Sequence, residues 1–132
     1  MKIILVILIS ILTLSFQAMA YEEANYEVVK ENKEYEIRKY SDRLVIETNS
    51  TEGNGFRKLF NYISGNNEKN QEIKMTVPVT REIKNGNMTM QFYLPLKFNK
   101  DNAPKPLNAE IEILTIEGGY YAVIKYSGRS SD

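Results

Sequence analysis

The sequence predicts an α+β fold in which one helix packs on a curved antiparallel sheet. Three observations lead to this fold class. One segment has the apolar repeat of an amphipathic helix, several short segments alternate apolar with polar side chains, and Asn85-Gly86 is a strong signal for a hairpin turn. A helix this short is marginal alone, so it requires a sheet on which to lie.

The first twenty residues are typical of a secretory signal peptide. Lys2 precedes an apolar run, and the segment ends in Ala18-Met19-Ala20, a small-x-small cleavage site. A membrane anchor is the alternative interpretation of this run, although polar residues interrupt it and no positively charged stop follows. We therefore expect an exported protein, periplasmic or secreted, with one domain over residues 21–132 and no membrane span after cleavage.

Composition limits the function classes. The chain has 17 basic and 17 acidic residues, and without Lys2 the mature part has 16 basic residues against 17 acidic. This balance gives no electrostatic reason to expect a nucleic-acid partner. Because Cys and His are both absent, the chain forms no disulfide and lacks the usual catalytic base and thiol nucleophile.

Period-two alternation predicts strands on both sides of the helix. Pro78 cannot donate a ladder hydrogen bond, so its strand is expected at a sheet edge or with a bulge. The first three strands are expected to form a meander, and residues 97–108, rich in Lys, Asn and Pro, to form a long loop. The predicted strands are residues 26–30, 35–40, 44–48, 75–80, 88–94, 110–116 and 120–126.

The helix is predicted from one apolar stripe. Phe56, Leu59, Phe60 and Ile63 follow the spacing i, i+3, i+4 and i+7. Gly65 is expected to end the helix, because glycine takes the C′ conformation without steric cost. Ser50 or Asn54 is positioned to cap its start.

An internal echo predicts a repeat. Residues 34–46 contain an alternating strand, a turn and a second strand, and residues 110–123 repeat this order with a turn of similar length. Each copy is expected to fold into a hairpin, the second ending where another helix would begin. The alternative is that antiparallel hairpins resemble one another in general.

Several phrases carry a family resemblance. They are Tyr-Glu-Ile-Arg-Lys-Tyr at residues 35–40, Gly-Phe-Arg at 55–57, Tyr-Ile-Ser-Gly-Asn-Asn at 62–67, Met-Thr-Val-Pro-Val-Thr at 75–80 and Tyr-Ser-Gly at 126–128. Together they resemble the SOUL haem-binding protein family over nearly the whole mature chain. The resemblance implies two pseudo-repeats that form a distorted β-barrel. It also implies that haem or free porphyrin binds to an apolar surface without catalysis.

The chain departs from the family pattern in two ways. The second repeat is expected to stop after its first hairpin, and the segment before Phe56 is shorter than the resemblance implies. Residues 21–132 are therefore expected to be an incomplete domain, which is unstable, self-associates through exposed strand edges, or belongs to a longer gene product. Two positions that are basic in some family members are Gly53 and Asn61 here.

The ligand site is expected on the helix. Haem iron takes axial ligands from His, Cys, Met or Tyr. Met75, Met88 and Met90 are candidates because their sulfur atoms can bind iron, although core packing is the usual role of such residues. A site without an iron ligand is favoured, with a flat macrocycle on aromatic side chains and cations at its propionates. The candidate residues are Phe56, Phe60, Arg57, Lys58, Ile63 and Met75.

Alternatives remain for these residues and for the function. The alternative for the apolar stripe is a helix face buried in the core. The alternative for Arg57 and Lys58 is a helix face exposed to solvent. Glu110 and Glu112 share one strand face and could act as a carboxylate pair, although an exposed strand face is the simpler interpretation. Porphyrin binding is thus the leading hypothesis, followed by an interaction module of the cell envelope and a carboxylate-dependent hydrolase.

Overall fold

The computed structural model describes residues 21–128, apart from the side chain of Lys84, so the predicted signal peptide lies outside the described residues. This part of the chain contains one helix, α1 (Gly55–Ile63). Its strands are β1 (Glu22–Glu23), β2 (Tyr26–Glu31), β3 (Glu36–Tyr40), β4 (Arg43–Ser50), β5 (Thr76–Val77), β6 (Val79–Lys84), β7 (Asn87–Tyr93), β8 (Ile111–Ile116) and β9 (Gly119–Val123).

The strands form two antiparallel sheets and one short parallel pair. The larger sheet has the strand order β6-β7-β4-β8, the second has the order β2-β3-β9, and β1 pairs with β5. The predicted α+β class, with one helix on an antiparallel sheet, is confirmed. Within residues 21–128 the sheets do not close into a barrel.

The prediction that each internal copy folds into a hairpin is wrong. Strand β3 pairs with β9, and β4 pairs with β8, so the two copies pair with each other. The register is the same on both sides of the turns, because Tyr40 lies opposite Gly119 and Arg43 lies opposite Ile116. The copies therefore form one long antiparallel ladder that bends at a corner and passes from the smaller sheet into the larger one.

The expected meander over residues 26–48 is also only half correct. Strands β2 and β3 form a hairpin, with a register shift between Val28 and Lys30. Strands β3 and β4 belong to different sheets, because the chain turns the corner at Ser41 and Asp42. The backbone N–H of Gly118 donates to Asp42 Oδ1 at 2.7 Å, which joins the two turns of the corner.

Local turn signals in the sequence are confirmed. Asn85 and Gly86 both have positive φ, 51° and 77°, and form the tight connection between β6 and β7. Strand β6 is an edge of its sheet, and Pro78 separates it from β5, as expected for a residue that cannot donate to a ladder.

Helix α1 ends as predicted but begins differently. The N–H of Gly65, with φ of +120°, donates to Tyr62 O, and the N–H of Ser64 donates to Phe60 O. Asn54 occupies the N-cap position, but its side chain makes no capping hydrogen bond. Its Oδ1 instead accepts from Ser50 Oγ at 2.7 Å.

The core lies between the helix, strands β4 and β7, and the long loop at residues 97–108. The loop contributes buried side chains of its own, and the hydroxyl of Tyr62 donates to Pro104 O at 2.6 Å across this junction. The loop therefore covers one side of the helix. The buried apolar cluster consists of Ile46, Leu59, Tyr62, Ile63, Ile73, Phe92, Leu94, Phe98, Ala103 and Ile111.

Candidate functional site

Helix α1 presents two phenylalanines on a flank that residues 21–128 leave partly uncovered. Phe56 and Phe60 are 48 % and 47 % exposed, and their rings stack with centroids 6.0 Å apart and planes 12° from parallel. Beneath them, the ring of the buried Phe92 meets that of Phe56 edge-on at 5.2 Å. The helix thus supports a pair of aromatic faces on a packed base.

The edge strand β6 continues this apolar surface. Residues directly opposite one another in an antiparallel pair project from the same face of the sheet. Val79 and Ile83 are 37 % and 63 % exposed, and we call them, with Phe56 and Phe60, the apolar shelf. On the helix side, the β7–β6 pairs are Phe92–Val79, Met90–Arg81 and Met88–Ile83.

The predicted site residues do not all lie on this shelf. Ile63 is buried in the core, and Met75 is partly buried against it. Arg57 is exposed on the outer side of the helix, next to Phe56. Of the six candidates, the structure brings Phe56 and Phe60 together as an accessible surface.

Lys58 lies on the opposite flank of the helix. Successive helical residues are turned by about 100°, so Lys58, two residues from each phenylalanine, lies about 160° around the helix from both. Its Nζ lies 2.9 Å from Glu110 Oε2, and its side chain is largely covered. Lys58 therefore pairs with a carboxylate of the protein on the side away from the shelf.

The same ion pair bears on the carboxylate-pair hypothesis. Glu110 is mostly exposed and contacts Lys58, and a shallow groove beside it is lined by Glu47, Glu110 and Glu112. Glu47 accepts a hydrogen bond from Gln91 Nε2, so it belongs to a polar row across the sheet. This is the arrangement expected of an exposed sheet face.

Sequence reasoning missed a cluster of tyrosines around two arginines at the corner. The guanidinium of Arg43 lies 4.4 Å from the ring centroid of Tyr40, 5.2 Å from Tyr93 and 5.3 Å from Tyr121. Arg43 is 91 % buried. Its Nε has no hydrogen-bond partner among the described residues. The alternation of Tyr with basic residues was visible in the sequence, but it signals a strand face equally well.

The second arginine of the cluster, Arg38, contacts side chains of the smaller sheet. Arg38 lies 4.1 Å from the ring centroid of Tyr26 and binds Glu36 at 2.8 Å. This hydrogen bond lowers the pKa of Glu36, while burial raises the pKa of Tyr93 on the other side of the corner. The cluster thus joins the two sheets through cation–π contacts.

A cleft of about 170 Å³ lies near this corner, away from the apolar shelf. Its lining includes Asn25, Arg43, Tyr93, Leu96 and Phe98. No shelf residue lines it. A ligand on the shelf would accordingly rest against an open surface.

Comparison with known proteins identifies the family. The model of the family described as "SOUL heme-binding protein" matches residues 21–132. This chain belongs to the SOUL family. The SOUL chain is 36 % identical over 93 residues to heme-binding protein 2 of Homo sapiens and 33 % identical over 93 residues to that of Mus musculus. Each match covers 60 % of this chain and 45 % of the relative, so the chain spans about half the length of these relatives.

The described residues also bear on metal binding and on whether a helix could span a membrane. Residues 21–128 contain no group of three or more acidic, His or Cys side chains placed to hold a metal ion. The helix found in that range is too short to cross a membrane.

Proposed function

We propose that this SOUL-family protein binds haem or free porphyrin on the apolar shelf and does so without catalysis. The observation that carries the proposal is the stacked pair of half-exposed phenylalanines, Phe56 and Phe60, in a chain of a haem-binding family. Two nearly parallel, half-exposed rings offer aromatic area against which a macrocycle can pack, and aromatic stacking adds to the gain from burying apolar area.

The proposed binding does not depend on an iron ligand. The sequence has neither His nor Cys, and Met75 packs against the core. Free porphyrin is therefore expected to bind nearly as well as haem, since both present the same flat apolar face and the same propionates. This distinguishes the proposal from a site built around coordinated iron.

A titration tests the proposed function. Adding haemin or protoporphyrin IX to the purified protein should shift the Soret band and quench tyrosine emission at micromolar ligand. A double variant, Phe56→Ala with Phe60→Ala, should bind at least tenfold more weakly, because both stacking faces are lost. Tyr120→Ala, which removes an exposed ring from the other sheet, is the matched control and should bind normally.

Two results would reject the proposal. One is the absence of any spectral change with either ligand at micromolar concentration. The other is unchanged binding by the folded double variant, which would place the macrocycle elsewhere on the surface.

Export is part of the proposal. A signal peptide at residues 1–20 would deliver the mature chain to the periplasm or the outside of the cell. Amino-terminal sequencing of the protein recovered from cell fractions should begin at Tyr21. A retained amino terminus in a membrane fraction would favour the anchor.

An interaction role remains the second candidate function. Strands β6 and β9 are sheet edges, and Tyr120 on β9 is largely exposed. Exposed edges pair readily with other strands. A fixed partner or a concentration-dependent dimer that protects β9 from hydrogen exchange would favour this candidate, and monomeric behaviour with exchange-labile β9 amides would not.

A further inference from the structure

The open flank of the helix faces a cation that does not come from the helix. Arg81 on β6 lies directly opposite Met90 on β7, on the helix side of the sheet. The start of α1 lies over Met90, since a Cβ built on Gly55 would lie 3.5 Å from Met90 Cβ. Arg81 thus lies on the strand next to Met90, the residue that the start of the helix covers.

The shelf surrounds this position. Val79 and Ile83 flank Arg81 on the same face of β6, and Phe56 contacts Phe92, the residue opposite Val79. Neighbouring strands are about 4.8 Å apart, so an extended arginine side chain can reach the edge of a ligand stacked on Phe56. The position combines apolar contacts with one positive charge.

The basic residues of the helix are less well placed for this role. Lys58 lies on the opposite flank and pairs with Glu110 at 2.9 Å. Arg57 is exposed on the outer side of the helix, about 100° from Phe56 and about 60° from Phe60, and faces away from the sheet. The strand therefore offers a cation on the shelf side of the helix.

We propose that Arg81 binds a propionate of the tetrapyrrole on the apolar shelf and thereby selects carboxylated porphyrins over their esters. This inference rests on the proposed function and adds the orientation of the ligand, with its carboxylate edge toward β6. Arg81 also has an interaction within the protein. A guanidinium has five N–H donors, so it can serve a second acceptor.

The size of the effect follows from the exposure of the site. A guanidinium–carboxylate pair is stronger than a neutral hydrogen bond, but exposure to water reduces its contribution. We expect the free acid to bind about three- to tenfold more tightly than the dimethyl ester. Replacing Arg81 should remove most of this preference and leave the stacking contribution intact.

The experiment compares two ligands across four proteins. Protoporphyrin IX and its dimethyl ester are titrated, from the same organic stock, into wild type, Arg81→Gln, Arg81→Lys and Lys39→Gln. Lys39 is exposed on β3 in the other sheet and serves as the control. Taking the ratio of the two affinities within each protein, and then comparing proteins, cancels the different solubility of the ligands.

The inference predicts that the acid-to-ester preference falls to about one in Arg81→Gln, is partly kept in Arg81→Lys, and is unchanged in Lys39→Gln. An unchanged preference in folded Arg81→Gln would overturn it. So would an equal loss of affinity for both ligands, which would indicate a structural role. If wild type binds neither ligand, the proposed function itself fails. If Arg81→Gln does not fold, Arg81→Lys tests the inference instead. An acid-to-ester preference in Arg81→Lys that equals that of wild type and does not change with salt concentration would exclude a charge contact.

Discussion

Replacing Gly118 tests whether the two sheets are joined by one bent ladder. A Cβ at this position would lie 2.5 Å from Tyr40 O, 3.0 Å from Ser41 C and 3.1 Å from Asp42 N. All three are backbone atoms, so no side chain can rotate to relieve the overlap. At the next position the chain is open, because a Cβ on Gly119 meets nothing within 4 Å.

The magnitude follows from these distances. Overpacking costs roughly 1–3 kcal/mol where neighbours can shift, and moving the corner would also weaken the hydrogen bond from Gly118 N to Asp42 Oδ1, which contributes about 1 kcal/mol. Gly118→Ala should therefore lower the free energy of unfolding by about 2–4 kcal/mol. Gly119→Ala should change it by less than about 0.5 kcal/mol, as is usual at open surface positions.

Urea unfolding at neutral pH measures both variants. With a slope of about 1–3 kcal/mol per molar urea, Gly118→Ala should move the midpoint down by roughly 1 M or more, while Gly119→Ala should match wild type. Equal midpoints for the two variants would refute the close approach at the corner. A lower midpoint for Gly119→Ala than for Gly118→Ala would show that the register is displaced by one residue.

Three further predictions concern the flank of the helix that faces away from the shelf. Tyr62→Phe should lower the free energy of unfolding by about 1–3 kcal/mol, since Pro104 O would lose its donor; wild-type stability in urea would contradict this contact. Burial raises the pKa of Tyr62 to about 12. The unfolded chain therefore ionises first, and wild type should lose up to about 1.4 kcal/mol of stability per pH unit between pH 10 and 12. A Tyr62→Phe protein with the same slope would refute that assignment. Glu110→Gln should cost less than about 1 kcal/mol, because the carboxylate is mostly exposed, and should leave porphyrin affinity unchanged. A large loss of either would give Glu110 a role beyond its contact with Lys58.

The features predicted correctly from the sequence are those that local chemistry determines. Gly65 ends the helix and Asn85-Gly86 turns the chain because both places need backbone conformations that few residues adopt. Pro78 marks a sheet edge for the same kind of reason, since the missing N–H is a property of the residue itself.

Strand pairing could not be predicted in this way. Strands β8 and β9 are joined by a short turn and both alternate, which is also the pattern of a hairpin. The difference lies between positions far apart in sequence, where Tyr40 meets Gly119 and Arg43 meets Ile116. Alternation specifies which face a side chain takes, but it does not specify the partner strand.

The helix shows the same limit at the scale of one element. The sequence predicts one stripe through Phe56, Leu59, Phe60 and Ile63, whereas the buried residues of the helix are Gly55, Leu59, Tyr62 and Ile63. The loop at residues 97–108 causes the shift, because it covers the Tyr62 side and supplies an acceptor for its hydroxyl. Tyrosine at that position gave no signal of burial, since its polar end usually reaches water.

This rotation of the buried face is what leaves the shelf accessible. If the predicted stripe were centred on the sheet, Phe56 and Phe60 would both lie in the core and the helix would offer no exposed pair of phenylalanines. Instead, the Tyr62–Pro104 hydrogen bond and the Lys58–Glu110 pair hold the far flank, and Phe92 supports the near one. Because these contacts are made within the protein itself, the two phenylalanines already lie parallel before any ligand arrives. Under the proposed function, a planar ligand would therefore need no rearrangement of the helix, and little of its binding energy would be lost to ordering the site.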